Sequence, residues 1–310
     1  MTIALATHPA CLEHDTGGGH PERADRLRAV LAALDQDAFP NLLREEAPRA
    51  TVEQVSAVHD RDYVDALLSL EVPSGQHVGL DPDTILSSGS VEAALRAAGA
   101  AVHAVDMVVG GQADTAFVAV RPPGHHAEPA RGMGFCLFNN VAIAARHCRD
   151  RHGLKRIAVA DFDVHHGNGT QAAFWDDPDL FFASSHQSPF YPGTGGSEER
   201  GIAGNIANAP LPAFTGSREF REAWQRLLLP ALDEFAPELL LISAGFDGHR
   251  DDPLAQFQLE AGDYAWVTRE LAELARRHCA RRVVSLLEGG YDLSALAQCA
   301  VAHVKELEAV

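Results

Sequence analysis

Basic residues are scarce in this chain, where 25 Lys and Arg stand against 43 Asp and Glu and give a formal net charge of −18 over 310 residues. Such a surface repels nucleic acid and anionic membranes, so we expect neither as a partner. The same charge would tolerate or attract cationic molecules, although solubility alone explains it as readily.

Cysteines and long apolar runs are also few. The cysteines have no spacing typical of a zinc ribbon or a redox pair, which argues against a disulfide scaffold and favours a reducing compartment. The apolar stretch 97–109 contains His103 and Asp106 and is too short to span a bilayer. Because the N-terminal residues also lack the pattern of a secretory signal, we expect a cytoplasmic protein. The five cysteines are Cys11, Cys136, Cys148, Cys279 and Cys299.

No low-complexity run, long linker or repeat interrupts the chain, so we predict a single domain over residues 1–310. Apolar runs typical of buried strands alternate with stretches of helical periodicity. This alternation predicts an α/β fold with a parallel sheet and helices on both faces. Strands are expected at 115–120, 156–160, 180–183, 239–243 and 283–287, and helices at 21–34, 91–109, 140–151, 217–235, 260–279 and 293–307.

Polar or glycine-rich residues follow each predicted strand at once. Ligands of open α/β sheets bind outside the carboxyl ends of the strands. We therefore expect these clusters to converge on one crevice, although they lie far apart in sequence. They are RPPGHH from Arg121, DFDVHHGNG from Asp161, SSHQ from Ser184, AGFDGH from Ala244 and EGGY from Glu288.

The segment after residue 160 carries candidate metal ligands. Alternation in an extended segment places Asp161, Asp163 and His165 on one side. Two carboxylates and an imidazole are costly to bury unless a cation pairs with them. Asp247 follows another predicted strand, so Asp163, His165 and Asp247 could bind one ion and leave a position for water, as in catalytic zinc sites. The carboxylates would also suit iron or another divalent ion.

Two histidines and a tyrosine complete the candidate chemistry. His125 and His126 follow two prolines and a glycine, and a positioned imidazole can take a proton from water and later donate it to a leaving amine. Tyr291 follows two glycines that permit a tight turn, and a phenol beside a metal can donate to a developing oxyanion. Taken alone, the GGY triplet fits a structural turn better.

Together these motifs resemble those of the histone deacetylase and acetylpolyamine amidohydrolase superfamily. The resemblance runs from HPER at 20–23 to LEGGY at 287–291. The segments RPPGHHAEPARGMGFCLFNNVAIAA and DFDVHHGNGTQ resemble class II members, such as bacterial histone deacetylase-like amidohydrolases. The resemblance implies an arginase-like three-layer α/β/α fold with a mostly parallel sheet. It also implies a zinc-dependent hydrolase that removes an acetyl or other acyl group from an amine.

The resemblance also implies roles for these residues. Asp163, His165 and Asp247 would be the zinc ligands, and Tyr291 would polarise the scissile carbonyl. The reaction would use water activated at the metal.

The histidine pair receives separate roles from the resemblance. His126 would be the general base and acid, and His125 an electrostatic helper that Asp161 orients. Asn168 stands where class I members carry an aspartate, which should leave His126 less basic.

The resemblance places a substrate channel above the site. Gly134 and Phe135 would form one wall, and Tyr191 or Phe190 the other. Leu254 stands where a polyamine-selective relative carries a glutamate. Leucine disfavours recognition of a long polyamine, so it favours acyl-lysine or another neutral acylated amine.

The family further implies a potassium ion beneath the zinc site. Its ligands would be the carbonyls of Asp161, Asp163, His165 and Ser185, together with the side chains of Asp161 and Ser184. A second monovalent site near Phe174 and Leu180 has weaker support.

Three alternatives stay open. The first is an amidohydrolase of acetylpolyamines or other small amides. The second is an acyl-lysine-binding protein without turnover, which the filled catalytic positions disfavour. The third is a hydrolase with two manganese ions, as in arginase, which fits the histidine pair and GGY less well.

Overall fold

An eight-stranded sheet forms the centre of the molecule, in a computed structural model that describes residues 2–35 and 37–309. A separate two-stranded hairpin is formed by β3 and β4 as numbered below. The strands are β1 (Ile3–Thr7), β2 (Leu43–Glu46), β3 (Val78–Gly79), β4 (Ile85–Leu86), β5 (Thr115–Val118), β6 (Ile157–Asp161), β7 (Leu180–Gln187), β8 (Ile206–Leu211), β9 (Leu239–Ala244) and β10 (Val283–Leu287).

The order of strands across the large sheet is β2-β1-β5-β10-β9-β6-β7-β8. Every neighbouring pair in it is parallel. The prediction of an α/β fold around a parallel sheet is therefore confirmed. The inner strands are apolar and fully buried because parallel sheets are covered on both faces. Clear examples are LLLISA in β9 and VVSLL in β10.

Helices cover this sheet in two packed groups. The first group contains α1, α10, α9 and α8, each packed on the next, and the second contains α4 and α5. The helices are α1 (Ala24–Ala33), α2 (Val52–Ser56), α3 (Arg61–Leu68), α4 (Ser90–Val109), α5 (Asn140–His152), α6 (Asn168–Phe174), α7 (Ser217–Ala223), α8 (Leu229–Phe235), α9 (Ala261–His278) and α10 (Leu293–Leu307).

The strand register aligns the carboxyl ends of the central strands. Asp161 of β6 lies beside Ser184 of β7 on one side and Ser243 of β9 on the other. Leu287 of β10 lies beside Ala244 of β9. The polar clusters that follow these strands therefore begin at the same edge of the sheet, as the sequence predicts.

The predicted helix 217–235 is interrupted by a π-helical segment at Trp224–Leu228. There the N–H of Leu229 bonds to the carbonyl of Trp224, five residues back. Pro230 explains the interruption, because it has no N–H to donate to the carbonyl of Arg226 and its ring crowds that turn.

Five strands were not predicted: the two short hairpin strands, β3 and β4, and three strands of the large sheet, two of which are at its edges. The sequence of β2 is LREE, which carries the charges that protect an exposed edge and hide a strand pattern. The β8 sequence includes Asn208 and Pro210, residues that are rare in central strands. The third, β1, is a short apolar run. The predicted strand at 180–183 continues to Gln187, because β8 pairs with it along that length.

The structure also gives the state of the cysteines and the character of the helices. All five cysteines are buried and free. Within the described part of the chain, every helix is too short or too polar to cross a bilayer.

Candidate active site

The predicted metal ligands lie together at the carboxyl edge of the sheet. Asp163 and His165 follow β6, and Asp247 follows β9. Nδ1 of His165 lies 3.0 Å from Oδ2 of Asp247 and 3.2 Å from Oδ1 of Asp163. One ligand atom from each residue falls within 4.8 Å of the others. We call Asp163, His165 and Asp247 the strand-end cluster.

Backbone N–H groups orient both carboxylates of this cluster. Asp163 accepts from His165 N–H at 2.9 Å and from Gly289 N–H at 2.9 Å, and Asp247 accepts from Val164 N–H at 3.0 Å. Oδ2 of Asp247 and Nδ1 of His165 have no backbone partner among the described residues and face each other at 3.0 Å. Carboxylate and imidazole donors with fixed directions fit a divalent ion such as zinc.

Two glycines make this close approach possible. A Cβ at Gly245 would lie 2.0 Å from Oδ2 of Asp163, and one at Gly289 would lie 2.2 Å from Oδ2 of Asp247. Any larger residue would therefore displace the carboxylates. The turn sequences AGFDGH and EGGY carry these glycines for steric reasons.

Charge in the strand-end cluster is concentrated and buried. Burial opposes the cationic form of His165, but Asp163 and Asp247 outweigh it and raise its pKa to about 10. Burial and the charge of Asp163 raise the pKa of Asp247. These carboxylates therefore favour a positive charge between them.

The histidine pair lies beside this cluster, with ring centroids 4.0 Å apart. His125 Nδ1 lies 3.0 Å from Oδ2 of Asp161. His126 Nδ1 lies 2.8 Å from Oδ1 of Asn168, whose amide donates to Oε1 of Glu128 at 2.7 Å. Because Glu128 fixes the amide orientation, Asn168 presents its oxygen to His126.

The two histidines have opposite electrostatics. Burial disfavours the charged form of His125, but Asp163 and Asp161 outweigh it and raise its pKa to about 10. Burial and the charges of His125 and His165 hold the pKa of His126 well below its usual value. His125 is thus the cationic member of the pair and His126 the neutral one.

Tyr291 faces the same pocket. Its N–H donates to Oδ2 of Asp252 at 2.7 Å, and the guanidinium of Arg26 lies 4.7 Å from its ring centroid. Burial raises the pKa of Tyr291 well above its usual value, so its hydroxyl stays protonated and can donate.

A pocket of about 240 Å³ joins these groups to the surface. It contains all five residues predicted for the channel. The ring of Phe190 stacks on that of His165 with centroids 5.2 Å apart, and the ring of Tyr191 lies edge-on to that of His126 with centroids 5.2 Å apart. Both Phe190 and Tyr191 therefore line the pocket. Asp83 was not predicted, because the segment Asp81-Pro82-Asp83 is typical of an ordinary turn. The lining residues are Asp83, Pro123, His125, His126, Gly134, Phe135, His165, Phe190, Tyr191, Leu254, Gly289 and Tyr291.

One buried carboxylate also received no role from the sequence. Glu288 accepts the N–H groups of Gly124 at 2.7 Å and His125 at 3.2 Å, and Ser243 Oγ lies 3.3 Å from it. Glu288 therefore ties the loop with the histidine pair to β9 and β10. Its signal was its place in EGGY, where only the glycines and tyrosine received roles.

A buried network of ion pairs and hydrogen bonds holds the loop that carries Tyr291. Arg26 donates to the carbonyls of Gly290 and Glu288, each at 2.5 Å, and to Glu22 at 3.1 Å. Arg121 also binds Glu22, with Nε at 2.5 Å. Glu22 and Arg121 come from the HPER and RPPGHH segments and Arg26 from α1, and none of the three received a role from the sequence.

Of the residues whose side chains are predicted to bind potassium, Asp161 ends β6 and Ser184 lies in β7. Asp161 is the register partner of Ser184. Ser184 Oγ lies 2.9 Å from Nδ1 of His186, and Ser185 Oγ accepts from Nε1 of Trp224 at 3.0 Å. The potassium ion stays a prediction.

Comparison with known proteins shows the relationship of this chain. The family model of the histone deacetylase domain matches residues 20–307 of this sequence. Histone deacetylase 14, chloroplastic, of Arabidopsis thaliana is 40% identical over 297 residues, covering 89% of this chain and 70% of that protein. The histone deacetylase-like amidohydrolase of Pseudomonas aeruginosa is 38% identical, covering 94% and 78%. The crystal structure of the HDA15 HD domain matches with a TM-score of 0.90 at 34% identity, covering 99% and 89%. This chain belongs to the histone deacetylase family.

Proposed function

We propose that this protein is a zinc-dependent hydrolase that removes an acetyl or other acyl group from the amine of acyl-lysine. The observation that carries the proposal is the single pocket in which His126, His165 and Tyr291 meet beneath apolar walls. Membership of a deacetylase family supports the reaction class. We further propose that the chain acts as one catalytic domain, located in the cytoplasm.

The strand-end cluster is the proposed zinc site. Asp163, His165 and Asp247 would hold the ion, and their fixed carboxylates and glycine neighbours fit it. When bound, the ion supplies Lewis-acid polarisation of the carbonyl and lowers the pKa of water. We keep potassium as a second proposed ion, near Asp161, Ser184 and Ser185.

His126 is the proposed general base. Its Nδ1–H donates to Asn168, so the lone pair of Nε2 is free to accept a proton. Its low pKa keeps it neutral and ready to take a proton from the attacking water. The same nitrogen then donates that proton to the leaving amine, which completes acyl transfer to water.

His125 and Tyr291 would stabilise the charge that develops during attack. His125 is held by Asp161, whose carboxylate favours the charged form of this imidazole beside the reacting centre. The hydroxyl of Tyr291 can donate to the oxyanion that forms from the carbonyl. Arg26 and Asp252 hold the tyrosine ring and backbone, so the donor is positioned before the reaction.

The pocket walls suit an uncharged chain. Phe135, Phe190 and Tyr191 present aromatic rings, and Leu254 adds an aliphatic side chain where a polyamine-selective relative carries a glutamate. The half-buried carboxylate of Asp83 can accept an N–H donor from the substrate. Acyl-lysine provides both a methylene chain and backbone N–H groups.

The test measures product release by zinc-loaded protein from matched acetyl-lysine peptide and acetylpolyamine, with a chelator control. We expect chelator-sensitive turnover of the peptide to exceed that of the polyamine. Turnover of the polyamine alone would move the assignment to a small-molecule amidohydrolase, with Asp83 binding an ammonium group. Peptide binding without product release would contradict hydrolysis.

A further inference from the structure

A second group of metal-ligating side chains lies away from the active site, where two helices end. Asp106 is in the last turn of α4, and His147 and His152 are in the last two turns of α5. Their ligand atoms also fall within 4.8 Å of one another. We call Asp106, His147 and His152 the helix-end cluster.

Both imidazoles of the helix-end cluster point at one oxygen. Nε2 of His147 and Nε2 of His152 each lie 2.7 Å from Oδ1 of Asp106, and the two ring planes are at 79°. The side chains of His147 and His152 are 11% and 21% exposed, and that of Asp106 is 43% exposed. The imidazoles are therefore largely enclosed, while the carboxylate leaves an opening to solvent.

We propose that the helix-end cluster binds a divalent transition-metal ion, with zinc as the expected ion, and so links α4 to α5. Two imidazoles and a carboxylate are a common donor set for zinc, and solvent can fill the fourth position. This proposal does not depend on the proposed catalytic function.

The carboxyl ends of the two helices favour a cation at this position, although Arg149 and Arg151 also lie in the last turn of α5. The cluster lies at the carboxyl ends of both α4 and α5, where unpaired carbonyls concentrate partial negative charge. The formal net charge of −18 also attracts cations to the surface.

The observed spacing is compatible with metal ligation after a small adjustment. Donors of a tetrahedral zinc ion at ~2.0 Å lie roughly 3.3 Å apart, against the 2.7 Å between Oδ1 and each Nε2 here. Because the Asp106 side chain is partly exposed, small rotations about its side-chain bonds can provide the difference. Hydrogen bonding alone would also bring these groups together, so the experiment must distinguish metal binding from hydrogen bonding.

The protein contains a natural comparison for hydrogen bonding alone. Oδ1 of Asp233 is also within hydrogen-bonding distance of two side chains. Nε2 of His278 and Nη2 of Arg277 each lie 2.8 Å from it. A guanidinium cannot ligate a metal because it has no free lone pair. His278→Gln is therefore a matched control that removes an imidazole–carboxylate pair without removing a metal site.

The experiment is a calorimetric titration of zinc into protein that has already been loaded with one equivalent of zinc. Elemental analysis checks the total zinc content. We expect wild type and His278→Gln to take up a second equivalent, and the double variant His147→Gln/His152→Gln to take up none. Asp247→Asn should lose the first equivalent and keep the second.

Asp106→Asn is a milder variant in case the double variant does not fold, and thermal unfolding checks both. Added zinc should raise the Tm of wild type beyond its effect on Asp106→Asn, because binding to the folded state stabilises it. A second equivalent that persists in a folded double variant, or no uptake by wild type beyond the initial equivalent, would overturn the proposal.

Discussion

The strand-end and helix-end clusters use the same kinds of ligand in different settings. In the strand-end cluster the carboxylates are buried and fixed by backbone N–H groups. In the helix-end cluster the carboxylate is 43% exposed, and the contacts to it come from two imidazoles. Donor type alone therefore does not distinguish a catalytic site from a peripheral one.

The difference is in what surrounds the donors. The strand-end cluster adjoins a pocket, two further histidines and a tyrosine, so a bound ion would meet a substrate and proton carriers. The helix-end cluster lies outside that pocket. We therefore expect catalysis at the first cluster and helix linkage at the second.

The largest effect should come from Asp247→Asn. The variant loses an anionic ligand, so we expect the tightly bound zinc to be lost and turnover to fall about a thousandfold, because metal ions contribute several kcal/mol to the stabilisation of transition-state charge. Elemental analysis and a deacetylation assay measure the two effects. Asp106→Asn is the matched control and should keep full turnover. Full zinc content in Asp247→Asn would remove the residue from the ligand set.

Tyr291→Phe should have the next largest effect. It removes a hydroxyl that can donate to the oxyanion, so we expect kcat to fall roughly a hundredfold while zinc content is unchanged. The phenyl ring keeps the packing against Phe135 and Arg26. An unchanged kcat would show that this hydroxyl has no part in the chemistry.

Asn168→Asp should shift the pH profile. A carboxylate beside Nδ1 favours the charged form of His126 and raises its pKa. Because a base acts only when neutral, activity is lost below its pKa, so the acidic limb of kcat should move to higher pH by about one unit. An acidic limb that stays in place would argue against His126 as the base.

The smallest effect on turnover should come from His147→Gln/His152→Gln. These side chains are outside the pocket, so we expect kcat to stay within about twofold of wild type, as for surface substitutions away from a site. A large loss of kcat in folded, zinc-loaded protein would show that the two clusters communicate.

Much of the candidate site could be located from the sequence because strand ends in a parallel sheet converge. Asp163, His165 and Asp247 each follow an apolar run, and the family resemblance supplied His125, His126 and Tyr291. Asp83 and Glu288 could not be assigned, since their roles depend on loop paths and backbone contacts that leave no pattern in sequence.

The helix-end cluster could not be predicted for a related reason. Asp106 and His147 are 41 residues apart and meet only because α4 packs on α5. His147 and His152 are five residues apart, a spacing that does not suggest one helical face.

Zinc restoration after chelation tests the central claim most directly. Turnover and bound zinc would be measured together on chelator-treated protein as zinc is returned. We predict that turnover rises with the first equivalent, reaches its maximum at one ion per chain and stays there as the second binds. Full turnover of the zinc-free protein would contradict a metal-dependent reaction at the strand-end cluster.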